Sequence, residues 1–289
     1  MGVLQGTILG PLLFILYLND LLINMPKNSI LSYADNTAVI LAAISWFEAL
    51  RQMAIMLKLI STWLALNKLS LNVQKTVYMT FGNYCDSVPR NTELEINNSP
   101  IERVEQCKYL GIIIDYRLQW KEHIEYILKK TKYLTYVFHK IKSYMDTDTM
   151  RMIYYAFFHS IATYGIIAWG GAYNNNLNLL QALQNRIIKI INKNKFVAEK
   201  PLNFSQSFTL ESILYYYDKL KNEFIKSESK TRKKLITLPE YNKMDKRVSD
   251  KCSMIKAIST FNFMPNDLKV LNLSKKTLRN KLSVYIKSI

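Results

Sequence analysis

Apolar residues recur every three or four positions between Phe47 and Leu64, a spacing that places them on one face of an α-helix. Ser45 precedes the stretch and Glu48 follows three residues later, a pairing typical of a helix N-terminus. The pattern predicts one long helix from Ser45 to about Leu66, with its apolar stripe in the core. The stripe consists of Phe47, Leu50, Met53, Ala54, Leu57, Ile60, Trp63 and Leu64.

An earlier stretch, from Thr7 to Asn24, is apolar on nearly every side, which predicts a helix whose body lies inside the first domain. Pro11 near its start is compatible with a helix, because first-turn amides have no partner within the helix. Gln5 and Gly6 lie just ahead, where such amides can face a phosphate or a base. An ordinary entry from loop to helix is the alternative. Asp20 falls late on this helix and is expected to serve local structure.

Two short runs of strand-forming residues, Ser29–Tyr33 and Thr37–Ala42, flank Ala34-Asp35-Asn36. Asp and Asn tolerate the backbone angles of a tight turn, so the segment predicts a hairpin with these three residues at its tip. A carboxylate at such a tip is held in place and faces solvent, as a metal ligand must be. On these residues alone, an ordinary polar hairpin remains the alternative.

Further strands are predicted at Val77–Phe81, at Glu93–Asn97 and within Val104–Asp115, with a turn at Asn98-Ser99-Pro100. Gly111 falls inside the last of these segments. A glycine in a strand allows close approach of a neighbouring backbone or a ligand.

The chain becomes helical after Trp120. Glu122–Tyr144 predicts an amphipathic basic helix, which either contacts phosphates or presents a solvated charged face. Its lysines are Lys129, Lys130, Lys132, Lys140 and Lys142. Asp148–Gly170 and Asn176–Asn192 predict two more helices. The apolar stretch Ile153–Trp169 is interrupted by His159, Ser160 and Thr163, which favours a buried helix over a membrane span.

The 289 residues are 49% hydrophobic, enough for substantial cores, and carry a formal net charge of +17. Residues 1–118 hold nine Lys and Arg against nine Asp and Glu, whereas residues 119–289 hold thirty against thirteen. A neutral module followed by a basic one fits a catalytic core with a nucleic-acid grip, although a solvated basic face is the simpler interpretation.

Cysteine usage and the N-terminus bear on the compartment. Three widely spaced cysteines indicate neither a zinc site nor a disulfide framework, which suits a reducing compartment. The apolar run Ile8–Leu18 has no preceding Lys or Arg and no evident cleavage site, so we do not expect a signal peptide. We expect an intracellular protein without a membrane span.

Four motifs carry a family resemblance: Gly2-Val3-Leu4-Gln5-Gly6 leading into Leu9-Gly10-Pro11, then Tyr33-Ala34-Asp35-Asn36, then Leu69 to Thr76 with its L-x-L-N-x-x-K-T pattern, and Tyr109-Leu110-Gly111 ending at Asp115. In order and spacing they resemble the reverse transcriptases of non-LTR retrotransposons. The resemblance implies that Gln5 and Gly6 line the nucleotide and template site and that Asp35 and Asn36 occupy the metal-binding hairpin. It also implies that Lys75 lies near the incoming nucleotide's phosphates, with Leu110 and Gly111 in the primer grip.

Two departures limit what the resemblance implies for activity. Asn36 stands where the family has the hairpin's second carboxylate, and we expect the upstream palm strand with its catalytic aspartate to lie outside this chain. The family's chemistry uses two Mg²⁺ ions, and one aspartate is seldom enough to hold two cations. We therefore expect no polymerase activity from this chain alone.

The expected fold is α+β: part of a polymerase palm, with a small antiparallel sheet against helices, then a mostly helical thumb and C-terminal region. The expected domains are a truncated palm at 1–118, a helical thumb and following helices at 119–200, and a basic helical region at 201–289. The implied partners are RNA and DNA, as a template and primer duplex held by the thumb's basic helices. One alternative is a domesticated, non-catalytic nucleic-acid-binding protein; another is a structural or secreted basic protein with a chance motif match.

Overall fold

The computed structural model describes residues 6–23, 25–26, 29–34, 36–82, 94–192, 200–228, 251–269 and 273–288. The chain divides into two compact units, which we call unit 1 (residues 1–117) and unit 2 (residues 118–289). Among the described residues, short strands and two α-helices form the first unit, and helices joined by short loops form the second. The α+β prediction is confirmed. The domain border expected at residue 200 stays a prediction.

Unit 1 contains helices α1 (Leu9–Ile23) and α2 (Trp46–Leu66), and a 3₁₀ turn at Val73–Lys75. Its described strands form three small sheets, in which β1 pairs with β2, β5 lies between β3 and β4, and β6 pairs with β7. The strands are β1 (Ile30–Tyr33), β2 (Asn36–Val39), β3 (Val77–Tyr78), β4 (Leu94–Ile96), β5 (Ser99–Arg103), β6 (Gln106–Tyr109) and β7 (Ile112–Asp115).

Helix α2 begins as the sequence predicts. Ser45 Oγ accepts a hydrogen bond from the Glu48 amide at 3.3 Å, while the Glu48 carboxylate binds the Arg51 guanidinium at 2.9 and 3.0 Å. This ion pair holds the pKa of Glu48 down at about 2. The predicted buried stripe is only partly correct: Phe47 is 78% exposed, and Met56, which the stripe omitted, is buried.

Two buried clusters use different faces of α2. In the first, Met56 and Ile60 pack with Leu21 of α1 and Ile30 of β1. In the second, Leu57 packs with three apolar residues of the β4–β5 hairpin. Within the described residues, α2 is also the one helix long and apolar enough to cross a bilayer, and 17% of that segment is buried. Because α2 contributes to both clusters, it holds α1 and β1 on one side and the β4–β5 hairpin on the other.

Helix α1 forms where predicted but is not buried as predicted. Leu21 is 4% exposed, whereas Leu12, Ile15 and Leu16 are 53, 63 and 62% exposed. The described elements of unit 1 cover only its C-terminal end, where Tyr17 donates a hydrogen bond to the Asn67 carbonyl. An apolar surface of this extent marks a contact surface or an aggregation liability.

Two hairpin turns differ from the sequence-based assignment. In the β4–β5 hairpin the turn lies at Asn97-Asn98, one residue earlier than predicted, because both residues adopt the positive φ of a type I′ turn. In the β6–β7 hairpin, Leu110 and Gly111 have φ of 46° and 84°. Gly111 is thus a turn residue, and the prediction that it lies within a strand was wrong. Strand β3 pairs with β5 in parallel, which the sequence did not indicate.

Unit 2 is built from helices of varied length. The predicted single helix at Glu122–Tyr144 is two helices, and the predicted helix at Asp148–Gly170 contains a π-helical segment at Tyr154–His159. The described helices are α3 (Lys121–Thr131), α4 (Leu134–Ile141), α5 (Thr147–Ile153), α6 (Ser160–Ala162), α7 (Ile166–Trp169), α8 (Asn174–Ile191), α9 (Phe204–Glu228), α10 (Ser253–Phe263), α11 (Asn266–Lys269) and α12 (Lys275–Ser288).

The core of unit 2 is rich in aromatic residues. Tyr154, Phe158 and Trp169 are at most 1% exposed, whereas Tyr155 and Phe157 are 50 and 55% exposed. The stretch expected to be a buried helix is therefore buried only in part, and it is not one regular helix. Gln184 of α8 is also buried and donates hydrogen bonds to the Tyr154 hydroxyl at 2.8 Å and to the Leu202 carbonyl at 3.0 Å. These bonds satisfy polar groups that would otherwise be costly to bury. They tie the π-helical segment and α8 to the segment that leads into α9.

Candidate functional site

The predicted metal-binding hairpin is an antiparallel pair of four-residue strands. Ile30 faces Val39, and the register continues to Tyr33 opposite Asn36. A two-residue loop, Ala34-Asp35, therefore joins the strands, and Ala34 has the positive φ of 51° that such tight loops require. The hairpin prediction is confirmed. Asn36 is the first residue of β2 and not a tip residue, which corrects its predicted position.

Polar side chains surround the loop. Ser32 Oγ lies 3.4 Å from Thr37 Oγ1 and 3.4 Å from the Ala34 carbonyl oxygen. The Asn36 side chain is exposed. Asp35, the predicted metal ligand, lies outside the described residues. The described part of the hairpin thus presents amide, hydroxyl and carbonyl oxygens to solvent on either side of position 35.

Of the two site residues predicted ahead of α1, the structure describes Gly6. Gln5 lies outside the described residues. Gly6 has a φ of 90°, and a Cβ built on it would meet no atom within 4 Å. The backbone conformation, and not crowding, is therefore what favours glycine at this position.

Lys75 ends the 3₁₀ turn and is exposed. Its backbone amide donates to Asn72 Oδ1 at 3.3 Å, so Asn72 caps the turn. Val73 of the same turn packs against the cluster formed by α2 and the β4–β5 hairpin. The element that carries Lys75 and the hairpin that carries Asn36 are therefore both anchored on α2.

The predicted primer-grip residues, Leu110 and Gly111, form the tip of the β6–β7 hairpin. Leu110 is 37% exposed. The hairpin follows β5 closely, and the Val104 amide between them bonds to the Tyr78 carbonyl of β3 at 3.0 Å. Both residues are presented on a turn, where Gly111 supplies a positive φ at no steric cost.

The fit of unit 1 to a pair of divalent cations can be judged from its ligand groups. Among the described residues, no group of three or more His, Cys, Asp or Glu side chains could hold a metal ion. Asp20, which precedes the hairpin in sequence, accepts a hydrogen bond from Trp63 Nε1 at 3.2 Å. This agrees with the structural role expected for it. The described residues therefore do not fit a two-metal centre.

Helices α3 and α4 present a basic face. Ile124 and Ile127 of α3 and Phe138 of α4 are at most 2% exposed, so these helices are fixed on the core of unit 2. All five lysines predicted for this region are exposed, namely Lys129, Lys130, Lys132, Lys140 and Lys142. The arrangement places flexible cations in solvent around a rigid support, as contacts to phosphates require.

Two lysines of this face lie over tyrosine rings, a feature that sequence reasoning missed. Lys130 Nζ is 4.7 Å from the centre of the Tyr126 ring, and Lys140 Nζ is 5.5 Å from that of Tyr136. Both pairs are spaced four residues apart, the separation that brings helical side chains together, so the spacing could have revealed them. Tyr136 is 66% exposed, and exposed aromatic rings are surfaces on which nucleic-acid bases can stack.

Comparisons with known proteins relate the chain to one class of enzyme. Residues 1–114 match the family described as reverse transcriptase (RNA-dependent DNA polymerase). The chain is 30% identical over 201 residues to the probable RNA-directed DNA polymerase from transposon BS of Drosophila melanogaster. It is 26% identical over 201 residues to the RNA-directed DNA polymerase from mobile element jockey of the same species, and over 204 residues to that of Drosophila funebris.

Each of these alignments covers 66% of this chain and 22% of the relative. The chain thus corresponds to less than a quarter of the length of these curated proteins. No solved structure matches it. The chain is homologous to RNA-directed DNA polymerases of Drosophila transposons, and the matched family segment ends within β7.

Proposed function

We propose that this chain is a fragment of an RNA-directed DNA polymerase of a non-LTR retrotransposon. Unit 1 supplies the C-terminal half of the palm, and the helices from residue 119 onward supply the thumb and the region that follows it. One observation carries the proposal. A β-hairpin with a two-residue loop at Ala34-Asp35 occurs inside the segment that matches the reverse transcriptase family.

The residues of unit 1 have separate roles in this proposal. Gln5 and Gly6 contact the template and the incoming nucleotide, and the positive φ of Gly6 supports a backbone that is bent toward a ligand. Lys75 contacts the phosphates of the nucleotide, a role supported by its exposure on a capped turn. Leu110 and Gly111 support the primer from the tip of the β6–β7 hairpin.

The divalent ion in this proposal is Mg²⁺, for which carboxylate oxygens are the usual protein ligands. When bound, such ions would activate the primer hydroxyl and stabilise the leaving phosphates. Asp35 supplies one carboxylate. Asn36 offers a carbonyl oxygen without charge, and the described residues do not fit a two-metal centre. The purified 289-residue chain is therefore expected not to synthesise DNA.

The nucleic-acid grip is the second part of the proposal. Residues 119–289 hold thirty of the 39 basic residues, and five of these are the exposed lysines at 129, 130, 132, 140 and 142, which lie on α3 and α4 or directly after them. Each lysine that contacts a phosphate displaces a condensed counterion, which gives binding that weakens steeply with salt and is insensitive to sequence. A template and primer duplex is the ligand that this face is proposed to hold.

Asn36 supports a second candidate function, a nucleic-acid-binding protein that has abandoned catalysis. In that case the basic helices are retained and the hairpin has no role in metal binding. The two functions differ in the ligand that they prefer. A polymerase fragment should bind a duplex with a recessed primer end more tightly than a blunt duplex, whereas a binding protein without catalysis should not distinguish them.

The proposal is tested by fluorescence anisotropy with a labelled RNA template annealed to a DNA primer. Lys129→Gln combined with Lys132→Gln should weaken binding by about tenfold and lower the salt dependence by about two counterions. The matched control changes two exposed lysines of α12, Lys276→Gln with Lys281→Gln, and should have a smaller effect. Equal losses in the two variants would contradict the proposed grip.

Primer extension tests the expected inactivity. The wild-type chain, with labelled deoxynucleotides and Mg²⁺, should yield no product that depends on both primer and metal. A product that depends on both and disappears in Asp35→Asn would show that the chain is catalytically complete.

A further inference from the structure

Unit 2 contains a cavity of about 140 Å³ on different elements from the basic face of α3 and α4. Its walls come from α5 and the π-helical segment, from the C-terminal end of α8, from the segment at Lys200, and from the last turn of α12. A water molecule occupies about 30 Å³ in the liquid, so the cavity has room for a group the size of a phosphate.

Three cations from distant parts of the sequence converge on this cavity: Arg151, Lys200 and Lys287. None of the described residues that line it is acidic. Asp148 lies 3.6 Å from the Arg151 guanidinium, but its side chain is 85% exposed, and such a contact is strongly screened by solvent. The charge that the described residues place at the cavity is therefore positive.

Helix dipoles do not reverse this sign. The C-terminal ends of α8 and α12 each contribute a partial negative charge of about one half. Together they offset about one of the three positive charges. The net field of these described groups still favours an anion.

Neutral donors complete the site. The Tyr154 hydroxyl oxygen already accepts a hydrogen bond from Gln184 Nε2 at 2.8 Å, so its own proton is available to another acceptor. Burial raises the pKa of Tyr154, which keeps that proton in place. The amide of Asn192 also lines the cavity. Anions that accept several hydrogen bonds, such as phosphate groups, match this combination of donors and cations.

An exposed aromatic ring indicates which phosphate compound would bind. Tyr155 lines the cavity and is 50% exposed. Its ring is held edge-on against Tyr154, with centroids 5.1 Å apart, and against His159 at 5.2 Å. Proteins that bind single-stranded nucleic acids combine aromatic rings with positive charges. The bases stack on the rings, and the backbone phosphates contact the charges.

We propose that this cavity binds a backbone phosphate of single-stranded nucleic acid, with a neighbouring base stacked on Tyr155. The choice of nucleic acid rests on the proposed function, whereas the preference for an anion rests on the cavity itself. The site is separate from the duplex grip of α3 and α4. It would hold an unpaired strand while the grip holds the paired one.

The test measures binding of the full chain to a labelled single-stranded RNA of twelve or so nucleotides. Lys200→Gln combined with Lys287→Gln should weaken binding by about tenfold and lower the salt dependence by about two counterions. The control pair on α12, Lys276→Gln with Lys281→Gln, should change it less than threefold. Lys200→Arg with Lys287→Arg should retain binding, because the charges remain.

The same variants, measured with primer–template duplex, separate this inference from the proposed function. If the cavity variant and the control pair lose single-strand binding equally, the inference is wrong whatever the duplex result. If the cavity variant alone loses single-strand binding while the wild-type chain fails to bind duplex, the cavity site stands and the proposed grip falls. Absence of single-strand binding by the wild-type chain would also overturn the inference.

Tyr155→Leu tests the stacking contact. The exposed position makes this substitution tolerable to the fold, and an unaltered unfolding midpoint would verify that. Single-strand binding should fall about tenfold, with the salt dependence unchanged, because a stacking contact releases no counterions. The matched control is Tyr164→Leu, since Tyr164 is also exposed, at 56%, and does not line the cavity. Equal affinities of the two tyrosine variants would contradict the assignment of Tyr155.

Discussion

Trp63 of α2 donates a hydrogen bond through its indole nitrogen to Asp20 Oδ2 of α1 at 3.2 Å, across 43 residues of sequence. The Tyr17 ring meets the Trp63 ring edge-on, with centroids 6.4 Å apart. These contacts fix the C-terminal end of α1, the helix that follows the proposed template-contacting residues. The orientation of Gly6 relative to the hairpin therefore depends on this end of α1.

Removing the acceptor should loosen α1. Asp20→Ala should lower the free energy of unfolding by about 1 kcal/mol, the usual contribution of a hydrogen bond at an accessible site. Amide hydrogen exchange should accelerate within α1 more than within α8. Asp20→Asn keeps an acceptor oxygen and serves as the control. If the α1 amides exchange no faster in Asp20→Ala or in Asp20→Asn than in the wild type, this hydrogen bond does not anchor the helix.

The two ends of α1 should respond differently to truncation of a leucine. Leu21 is 4% exposed and packs with Ile30 and Met56, so Leu21→Ala should cost about 2–4 kcal/mol of stability. Leu16 is 62% exposed, so Leu16→Ala should change stability by no more than about 0.5 kcal/mol. Urea denaturation followed by circular dichroism measures both. A similar loss in both variants would mean that the N-terminal part of α1 is buried in solution.

Acid should destabilise unit 2 through His123. This side chain is 2% exposed and lies edge-on to Trp169, with ring centroids 5.5 Å apart. Burial lowers the pKa of His123 from 6.5 to about 4. The unfolded chain therefore binds a proton more readily than the folded chain does, and stability is lost as the pH falls from about 6.5 toward 4.

A full shift of this size corresponds to about 3 kcal/mol, which is an upper limit because relaxation of the surroundings reduces the cost of the charge. His123→Phe should flatten the pH dependence of the unfolding midpoint between pH 4 and 7. His139→Phe, at an exposed position of α4, is the control and should leave it steep. Parallel curves for wild type and His123→Phe would contradict the prediction.

Local signals in the sequence predicted several elements well. Ser45 and Glu48 predicted the start of α2, because a cap is a local interaction that requires only neighbouring residues. The strand-forming runs around Asp35 predicted the β1–β2 hairpin for the same reason. The strand predicted at Glu93–Asn97, which contains β4, also rested on neighbouring residues, although its turn lies at Asn97-Asn98.

Tertiary relationships were harder to predict. The apolar pattern of α1 predicts burial, but which part is covered depends on partners far away in sequence. The parallel pairing of β3 with β5 likewise joins separate segments, and nothing in their sequences indicates which residues pair. Gly111 was assigned to a strand because the positive φ of Leu110 is unusual for a leucine and no local signal marks it. No proline or glycine marks the break between α3 and α4 at Lys132-Tyr133.

The proposed site residues also divide into those that the sequence identified and those that only the folded structure brings together. The resemblance selected Gly6, Asn36 and Lys75, and the structure presents Asn36 and Lys75 on exposed positions of elements packed on α2. The cavity bounded by Arg151, Lys200 and Lys287 could not be predicted, because its cations come from segments separated by up to 136 residues. Only a folded chain brings them together.

Binding of Mn²⁺, a paramagnetic substitute for Mg²⁺, tests most directly whether the β1–β2 hairpin is the metal-binding element of a polymerase palm. The measurement is the loss of backbone amide NMR signals of the full chain as Mn²⁺ is added. The account predicts early loss at Tyr33, Ala34, Asn36 and Thr37, abolished by Asp35→Asn and retained in Glu102→Gln, which removes an exposed acid from β5. Signal loss at the hairpin that is the same in wild type and Asp35→Asn, or loss centred elsewhere in unit 1, would contradict it.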